Sequence, residues 1–241
     1  MEITKVVSSL LDKLGSDNFR TKESVSIGAQ LHRLLRSAII EGEIKPGQSI
    51  SEIEMSKTFS ISRQPVREAF IKLVEERLIE VLPQRGTYVR KISVKEVLDA
   101  QYLREIIEVA IVHEVALKHD DGLLDTLQHL LAEQDKVAPG DSKSFLRLDE
   151  EFHRTLALYA GREYCWRVAE SIKAQMDRVR FLTYDFASPI AGIIVEHRNI
   201  FEAIKAGDAN RAEQTMRSHV REIVSSLPKI SGNYPEYFVA E

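Results

Sequence analysis

The 241-residue sequence predicts a mainly α protein in two parts. The first is a winged helix-turn-helix, three helices plus a β-hairpin wing; the second is an all-α antiparallel six-helix bundle. Three observations predict this. Helix-period apolar stripes run through most of the chain. Runs of β character occur in one place only, just before residue 93. The charge balance changes there too: Ser24–Ser93 carries 11 Lys+Arg against 8 Asp+Glu, whereas Val94–Glu241 carries 18 against 25. The expected domains are an N-terminal extension over 1–24, a winged helix-turn-helix domain over 25–93, a helical domain over 94–230 and an irregular tail over 231–241.

Composition narrows the class. Hydrophobic content of 44% and charged content of 29% are ordinary for a soluble globular protein. No apolar run approaches the roughly 20 residues needed to cross a bilayer, so no membrane partner is expected. The opening MEITKVVSSLLDKLGSD carries acids early and lacks a secretory apolar region. The single cysteine, Cys165, cannot form an internal disulfide, and a reducing cytoplasm is expected. A net charge of −4 argues weakly against nucleic acid, but its distribution matters more.

Residues 1–24 show no strong period and are expected to form an extension with at most one short helix. Apolar residues at 27, 31, 34, 35, 38 and 39 make a helical stripe from Ile27 to Ile40. Pro46-Gly47 marks a turn. Ser51 stands three residues before Glu54, the spacing of a capping box, and opens a short helix ending near Phe59. Ser60-Ile61 makes a brief turn, and Ser62 caps a third helix reaching about Glu76. LIEVLP and TYVRKI follow, two β-like runs separated by Gln84-Arg85-Gly86, which reads as a hairpin. That order of elements is a winged helix-turn-helix.

In such a unit the third helix enters the DNA major groove N-terminus first. Arg63 and Arg67, one helical turn apart in ISRQPVREAFI, lie where the helix macrodipole disfavours cations, so they need a partner from outside the fold. Pro65 costs little there, because the early N–H groups lack intrahelical acceptors anyway. Arginine suits bidentate contact to guanine O6 and N7, and Ser62 with the free N–H groups of the turn suits a phosphate. The bland alternative is a solvated face in which Glu68, Glu75 or Glu76 pairs with these arginines or with Lys72.

ISRQPVREAFIKLVEERLIEVLPQRGTYV resembles the N-terminal domain of the GntR family of bacterial transcription regulators, whose usual pattern is VSRTPVREAL…L…GL…P..G..V. The resemblance spans Ala29 to Val89. It implies binding to double-stranded operator DNA through Ser62, Arg63, Gln64 and Arg67, with the wing-tip pair Arg85-Gly86 reaching the minor groove. Three positions depart from the pattern: Gln64 replaces a common threonine, Arg77 a common glycine, and Ile53 an arginine that contacts DNA in some members. They bear on the operator sequence, since Gln64 suits adenine.

After Val94 the β signals stop. Helical stripes are expected at 94–117, 122–137, 142–160, 163–186, 190–206 and 208–227, joined by brief loops, as antiparallel neighbours in a bundle require. Polar residues fall on the buried stripes. Asp149 and His153 lie along the stripe of FLRLDEEFHRTLALYA, His197 lies within that of IIVEHRNIFEAI, and His219 lies beside that of AEQTMRSHVREIVSSL. One carboxylate and three imidazoles from three helices therefore point inward. A lone buried histidine is usually a hydrogen-bonded core residue. Four such groups converging suggest a divalent metal ion, which would satisfy them all. Mixed O/N donors suit zinc, nickel or manganese alike. His32, His113, His119 and His129 show no comparable clustering.

LDEEFHRTLALYAG and EHRNIFEAIKAGDANRAEQTMRSHV resemble the all-helical FCD effector domain of the FadR-like branch of GntR regulators. The Asp-x₃-His…His…His set matches the metal-binding members at Asp149, His153, His197 and His219. Arg104 and Glu108 match the family's R-x₃-E. The resemblance implies that Arg104 binds an effector carboxylate; the bland reading is an intrahelical i, i+4 pair. The expected function is a homodimeric, metabolite-responsive regulator, a repressor in most of this branch, answering to a small organic acid. Two rivals stand beside it: a helical metallohydrolase, and a regulator whose metal is purely structural.

Overall fold

The computed structural model describes residues 25–184 and 190–240; the expected N-terminal extension and the end of the fourth predicted bundle helix fall outside them. The chain divides into two compact units, one running to Ser93 and taking in Pro235 onward, the other Val94–Tyr234.

In the first unit, α1 (Ile27–Ile40) starts at Ser26, whose hydroxyl accepts from the Ala29 amide at 3.2 Å. Strand β1 (Ser49–Ile50) leads into α2 (Glu52–Thr58), where the expected cap is present: Ser51 Oγ accepts from the Glu54 amide. Ser60 takes a left-handed conformation (φ 52°) in the turn to α3 (Arg63–Glu75). Strands β2 (Ile79–Leu82) and β3 (Gly86–Val89) form the hairpin. The β1 strand was not legible, being two residues long. It pairs antiparallel with β3, giving a three-stranded sheet of order β1-β3-β2. Leu31, Leu35, Val66, Leu73 and Leu78 form the fully buried centre. Glu76 ties α1 to the end of α3 by reaching His32 (2.7 Å) and Arg36 (2.8 Å).

The second unit contains seven helices among the described residues: α4 (Val94–Lys118), α5 (Asp121–Asp135), α6 (Ser142–Tyr159), α7 (Glu163–Ile172), α8 (Ala174–Tyr184), α9 (Ile190–Lys205) and α10 (Ala209–Asn233). The stripe expected as one helix from 163 is interrupted at Lys173, a buried residue whose ammonium binds Glu150 and Asp177. α10 also runs past its expected end, with Pro228 inside it. Proline removes the donor for the Val224 carbonyl; Val224 is partly exposed, so water can take that role. The core is a continuous apolar cluster that includes Val112, Leu127, Phe152, Leu156, Ile200 and Met216. Among the described residues no helix is long and apolar enough to cross a membrane.

The tail expected to be irregular is pinned. Pro235–Tyr237 makes one 3-10 turn, and the next residues pair in parallel with Ile92. The Ile92 amide donates to Tyr237 O (2.8 Å), the Val239 amide donates to Ile92 O (2.9 Å), and Phe238 is buried. The sequence contained one hint, a Tyr-Phe-Val run too short to read as a strand. Deleting residues 235–241 should expose Phe238's share of the core and destabilise the first unit by about 1.5–3 kcal/mol, the contribution of one buried large side chain. Chemical denaturation should show an earlier transition for this unit.

Candidate metal centre and nucleic-acid interface

The α3 tip is open. Ser62, Arg63, Gln64 and Arg67 are all exposed, as are Arg85 and Gly86 at the hairpin. Ser62 occupies the cap position expected for it but makes no side-chain cap hydrogen bond, so its hydroxyl remains available. The acids that could have neutralised the two arginines are largely engaged elsewhere. Glu76 binds His32 and Arg36, and Glu68 accepts from Gln64 Nε2 at 3.1 Å. Arg63 reaches only a long, exposed contact with Glu52 at 3.5 Å, and Arg67 has no ion-pair partner among the described residues. A left-handed Gln84 (φ 60°) and Gly86 (φ 107°) shape the turn that presents Arg85. Arg77, where the GntR pattern has glycine, is likewise left-handed (φ 57°). That geometry is why glycine suits the position.

In the helical unit, Asp149, His153, His197 and His219 come together, each offering one ligand atom within 4.8 Å of the others. All four are at most 5% exposed. Asp149 and His153 share one face of α6 because i and i+4 are neighbours on a helix; α9 brings His197 and α10 brings His219.

Each imidazole is oriented from its outer edge. His153 Nδ1 lies 2.6 Å from Glu108 Oε2, His197 Nδ1 lies 2.9 Å from Gln134 Oε1, and His219 Nδ1 lies 2.8 Å from Glu196 Oε2. Gln134 Oε1 and Glu196 Oε2 are acceptors, so the Nδ1 atoms of His197 and His219 carry the proton and their Nε2 atoms present lone pairs, whereas His153 Nδ1 meets Glu108 at ion-pair distance without a well-formed hydrogen bond. The Gln134 amide is set by its own donation to Leu148 O. The Nε2 atoms converge: His153 Nε2 is 3.1 Å from His219 Nε2, and His197 Nε2 is 3.5 Å from Asp149 Oδ1. At that distance the two nitrogens either share a proton or, with both unprotonated, face a cation between them. Ligand atoms held at metal–nitrogen distances of about 2.0–2.1 Å sit roughly 3–3.4 Å apart; the His153–His219 pair has that spacing, and the other donors lie within 4.8 Å. Asp149 Oδ2 and His197 Nε2 are buried without hydrogen-bond partners among the described residues. The donor set therefore fits a divalent metal ion.

The charges around the centre are balanced in pairs. Arg104 forms a buried i, i+4 fork with Glu108, so the bland geometry is present. The same pair carries His153, and Arg104 also lines a small chamber beside the four residues. Burial opposes charge on Glu108, but the Arg104 guanidinium and His153 outweigh it and hold the carboxyl well below its usual range. Asp149 behaves alike, burial being overcome by Arg180, whose Nη2 donates to Oδ1 at 2.6 Å. Burial, reinforced by neighbouring imidazoles, holds His197 and His219 well below the ordinary histidine value. Burial raises Glu196.

Sequence reasoning missed Gln134, Arg180 and Glu196. Glu196 adjoins His197 in sequence but points to His219, so no stripe linked them. Arg180 lies in QMDRVR, a run buried on every side whose polar residues gave no face to read.

Two outcomes follow. His197→Ala should strip or weaken a bound metal while the helices stay folded; full metal content in that variant would remove His197 from the ligand set. In metal-stripped protein, unfolded histidines take up protons below about pH 6.5 while His197 and His219 stay neutral in the fold, so stability should fall on acidification through that range. Glu108 and Asp149, held charged in the fold, add a further loss below their ordinary values of 4.5 and 3.8. Thermal melts at falling pH should show this order; a Tm that climbs on acidification would contradict it.

Comparison with known proteins is consistent across sequence and fold. Residues 27–89 match the model of bacterial regulatory proteins of the gntR family, and residues 99–222 match the FCD domain. The chain is 36% identical over 216 residues to the HTH-type transcriptional repressor RspR of Escherichia coli K12, covering 89% of this chain and 95% of that protein. It is 33% identical over 208 residues to an HTH-type transcriptional regulator of Streptomyces ambofaciens, covering 86% and 87%. Among solved structures, the fold is similar to E. coli McbR/YncC, with a TM-score of 0.71 at 19% identity over 87% of this chain and 99% of that one. A GntR regulator from Rhodococcus sp. RHA1 aligns with a TM-score of 0.69 at 25% identity, over 86% and 98%.

Proposed function

Since this chain belongs to the gntR family of bacterial regulatory proteins, and is a DNA-binding transcription regulator with an FCD domain, we propose that it is a homodimeric repressor answering to a small organic acid at a metal ion. Asp149, His153, His197 and His219 hold the metal: zinc, nickel or manganese by the chemistry of the donors. The observation that carries this reading is the convergence of four buried donor atoms within 4.8 Å, with the Nε2 atoms of His153 and His219 only 3.1 Å apart. The rival reading as a metallohydrolase falls with family membership, because the relatives are transcription regulators.

At the operator, Arg63, Gln64 and Arg67 read base edges from the leading turn of α3. The Ser62 hydroxyl and the adjacent N–H groups take a phosphate. Arg85 and Gly86 approach the minor groove. Repression is supported by the name of the E. coli relative. A second copy is supported by α4, which exposes Leu98, Tyr102 and Ile106 along one i, i+4, i+8 stripe. An apolar stripe of that kind suits a partner surface, and a two-fold dimer suits a palindromic operator.

A carboxylate is the fitting effector because the metal adds positive charge beside Arg104 and Arg180, both of which line the adjoining chamber. Its coupling to DNA binding is expected at about 1–3 kcal/mol. Against operator fragments selected from random DNA by the wild-type protein, Arg63→Ala and Arg67→Ala should each cost about 1–3 kcal/mol and relax base preference. Unchanged gel-shift affinity in both variants would overturn the interface. Calorimetry of metal-loaded protein with a broad panel of organic acids tests the sensor; silence across the panel would favour a purely structural metal.

A further inference from the structure

Among the residues assigned above to the operator stands an acid. Glu68 follows Arg67 directly and lies one turn beyond Gln64 on α3. A carboxylate turned toward a duplex meets phosphates of its own sign, so its place on this face needs a reason.

Its two oxygens supply one. Oε2 lies over the first turn of α1, where a methyl group on Gly28 would stand 2.7 Å from it. The same methyl would stand 3.3 Å from Glu68 Cβ and 3.3 Å from the Pro65 carbonyl oxygen. α1 has no acid in its own first turn, and the N–H groups and macrodipole favour an anion at that end of a helix. Glu68 thus brings from α3 the negative charge that α1 lacks. Gly28 leaves the room for it. Glycine weakens a helix relative to alanine, and here alanine would take the carboxylate's place.

The other oxygen, Oε1, accepts from Gln64 Nε2 at 3.1 Å. A glutamine amide otherwise turns about its last bond between orientations that present different groups. Held by one N–H, the Gln64 amide keeps its carbonyl oxygen and its second N–H for the groove. One acceptor beside one donor complements adenine, which offers the N6 donor beside the N7 acceptor. Guanine offers two acceptors, O6 and N7, and meets the same amide badly.

On the reading above that Gln64 contacts a base edge, we propose that Glu68 is a positioning residue for operator recognition. Anchored over the first turn of α1 in the space beside Gly28, it fixes the Gln64 amide for adenine. On a wet surface such an i, i+4 pair stabilises a helix only slightly. It counts in the complex, where water is excluded and hydrogen bonds strengthen.

The test is selection of operators from random DNA by full-length protein, followed by gel-shift titration of the selected site and its single-base variants. Gln64→Ala identifies the position that Gln64 reads, the one where a base preference disappears. Glu68→Ala should cut the preference for adenine over guanine there by about three- to tenfold and leave the positions read by Arg63 and Arg67 unchanged. Gly28→Ala, which alters no base-reading residue, should relax the same position. In the Gln64→Ala background, Glu68→Ala should change no base preference; a merely structural acid would shift affinity for every sequence alike in both backgrounds. Glu68 is exposed and alanine favours helix, so the substitution is compatible with folding. A preference at that position for a base other than adenine, an adenine preference that survives either substitution, or a loss spread over all positions overturns the proposal and leaves base reading by Gln64 intact. A Gln64→Ala variant that relaxes no position overturns that reading as well.

Discussion

The helical unit is built around a difficulty: a carboxylate and three imidazoles turned into its own core. Such groups are tolerated only where every polar atom finds a partner. The partners are assembled from outside inward. Gln134 and Glu196 take the outer nitrogens of His197 and His219, Glu108 lies at ion-pair distance from that of His153, and Arg180 takes one oxygen of Asp149. The inner edges are left facing one another. Among the described residues that arrangement of donors suits a divalent cation.

This network also constrains the packing. Its members come from α4, α5, α6, α8, α9 and α10, so a slip of any one helix would strand a buried polar group. Apolar contacts such as Phe152 stacked on His197, with ring centroids 4.4 Å apart, adapt more readily than hydrogen bonds do. The apolar cluster supplies most of the driving force for folding, and the polar cluster selects among bundles of similar burial. The winged unit uses the opposite arrangement. One nearby acid, Glu76, is engaged by His32 and Arg36, and the α3 arginines keep only the long Arg63–Glu52 contact among the described residues. The helix carrying His219 continues in sequence into the tail whose Phe238 closes the winged unit's core.

Much of this was legible from periodicity and caps. Ser51 with Glu54, the stripe from Ile27 to Ile40 and the i, i+4 pair of Asp149 and His153 are local patterns, and local geometry reproduces them. The elements that escaped depend on distant partners. Strand β1 exists because β3 pairs with it, and the tail is ordered because Ile92 offers a backbone edge. The break at Lys173 accompanies ion pairs to Glu150 and Asp177, the former on a different helix. α10 continues through Pro228 at a point where Val224, one turn earlier, is partly exposed, a fact of position and not of composition.

By itself, the sequence determined the two-part architecture, the cationic tip of the recognition helix and the identity of the inward-facing donors, because each is written in spacings of three or four residues along one helix. Only the tertiary structure decided which nitrogen of each imidazole faces inward and which carboxylate serves which histidine. Those facts depend on side chains 23 to 66 positions apart meeting within about 3 Å, and no periodicity along a single helix encodes a meeting between two.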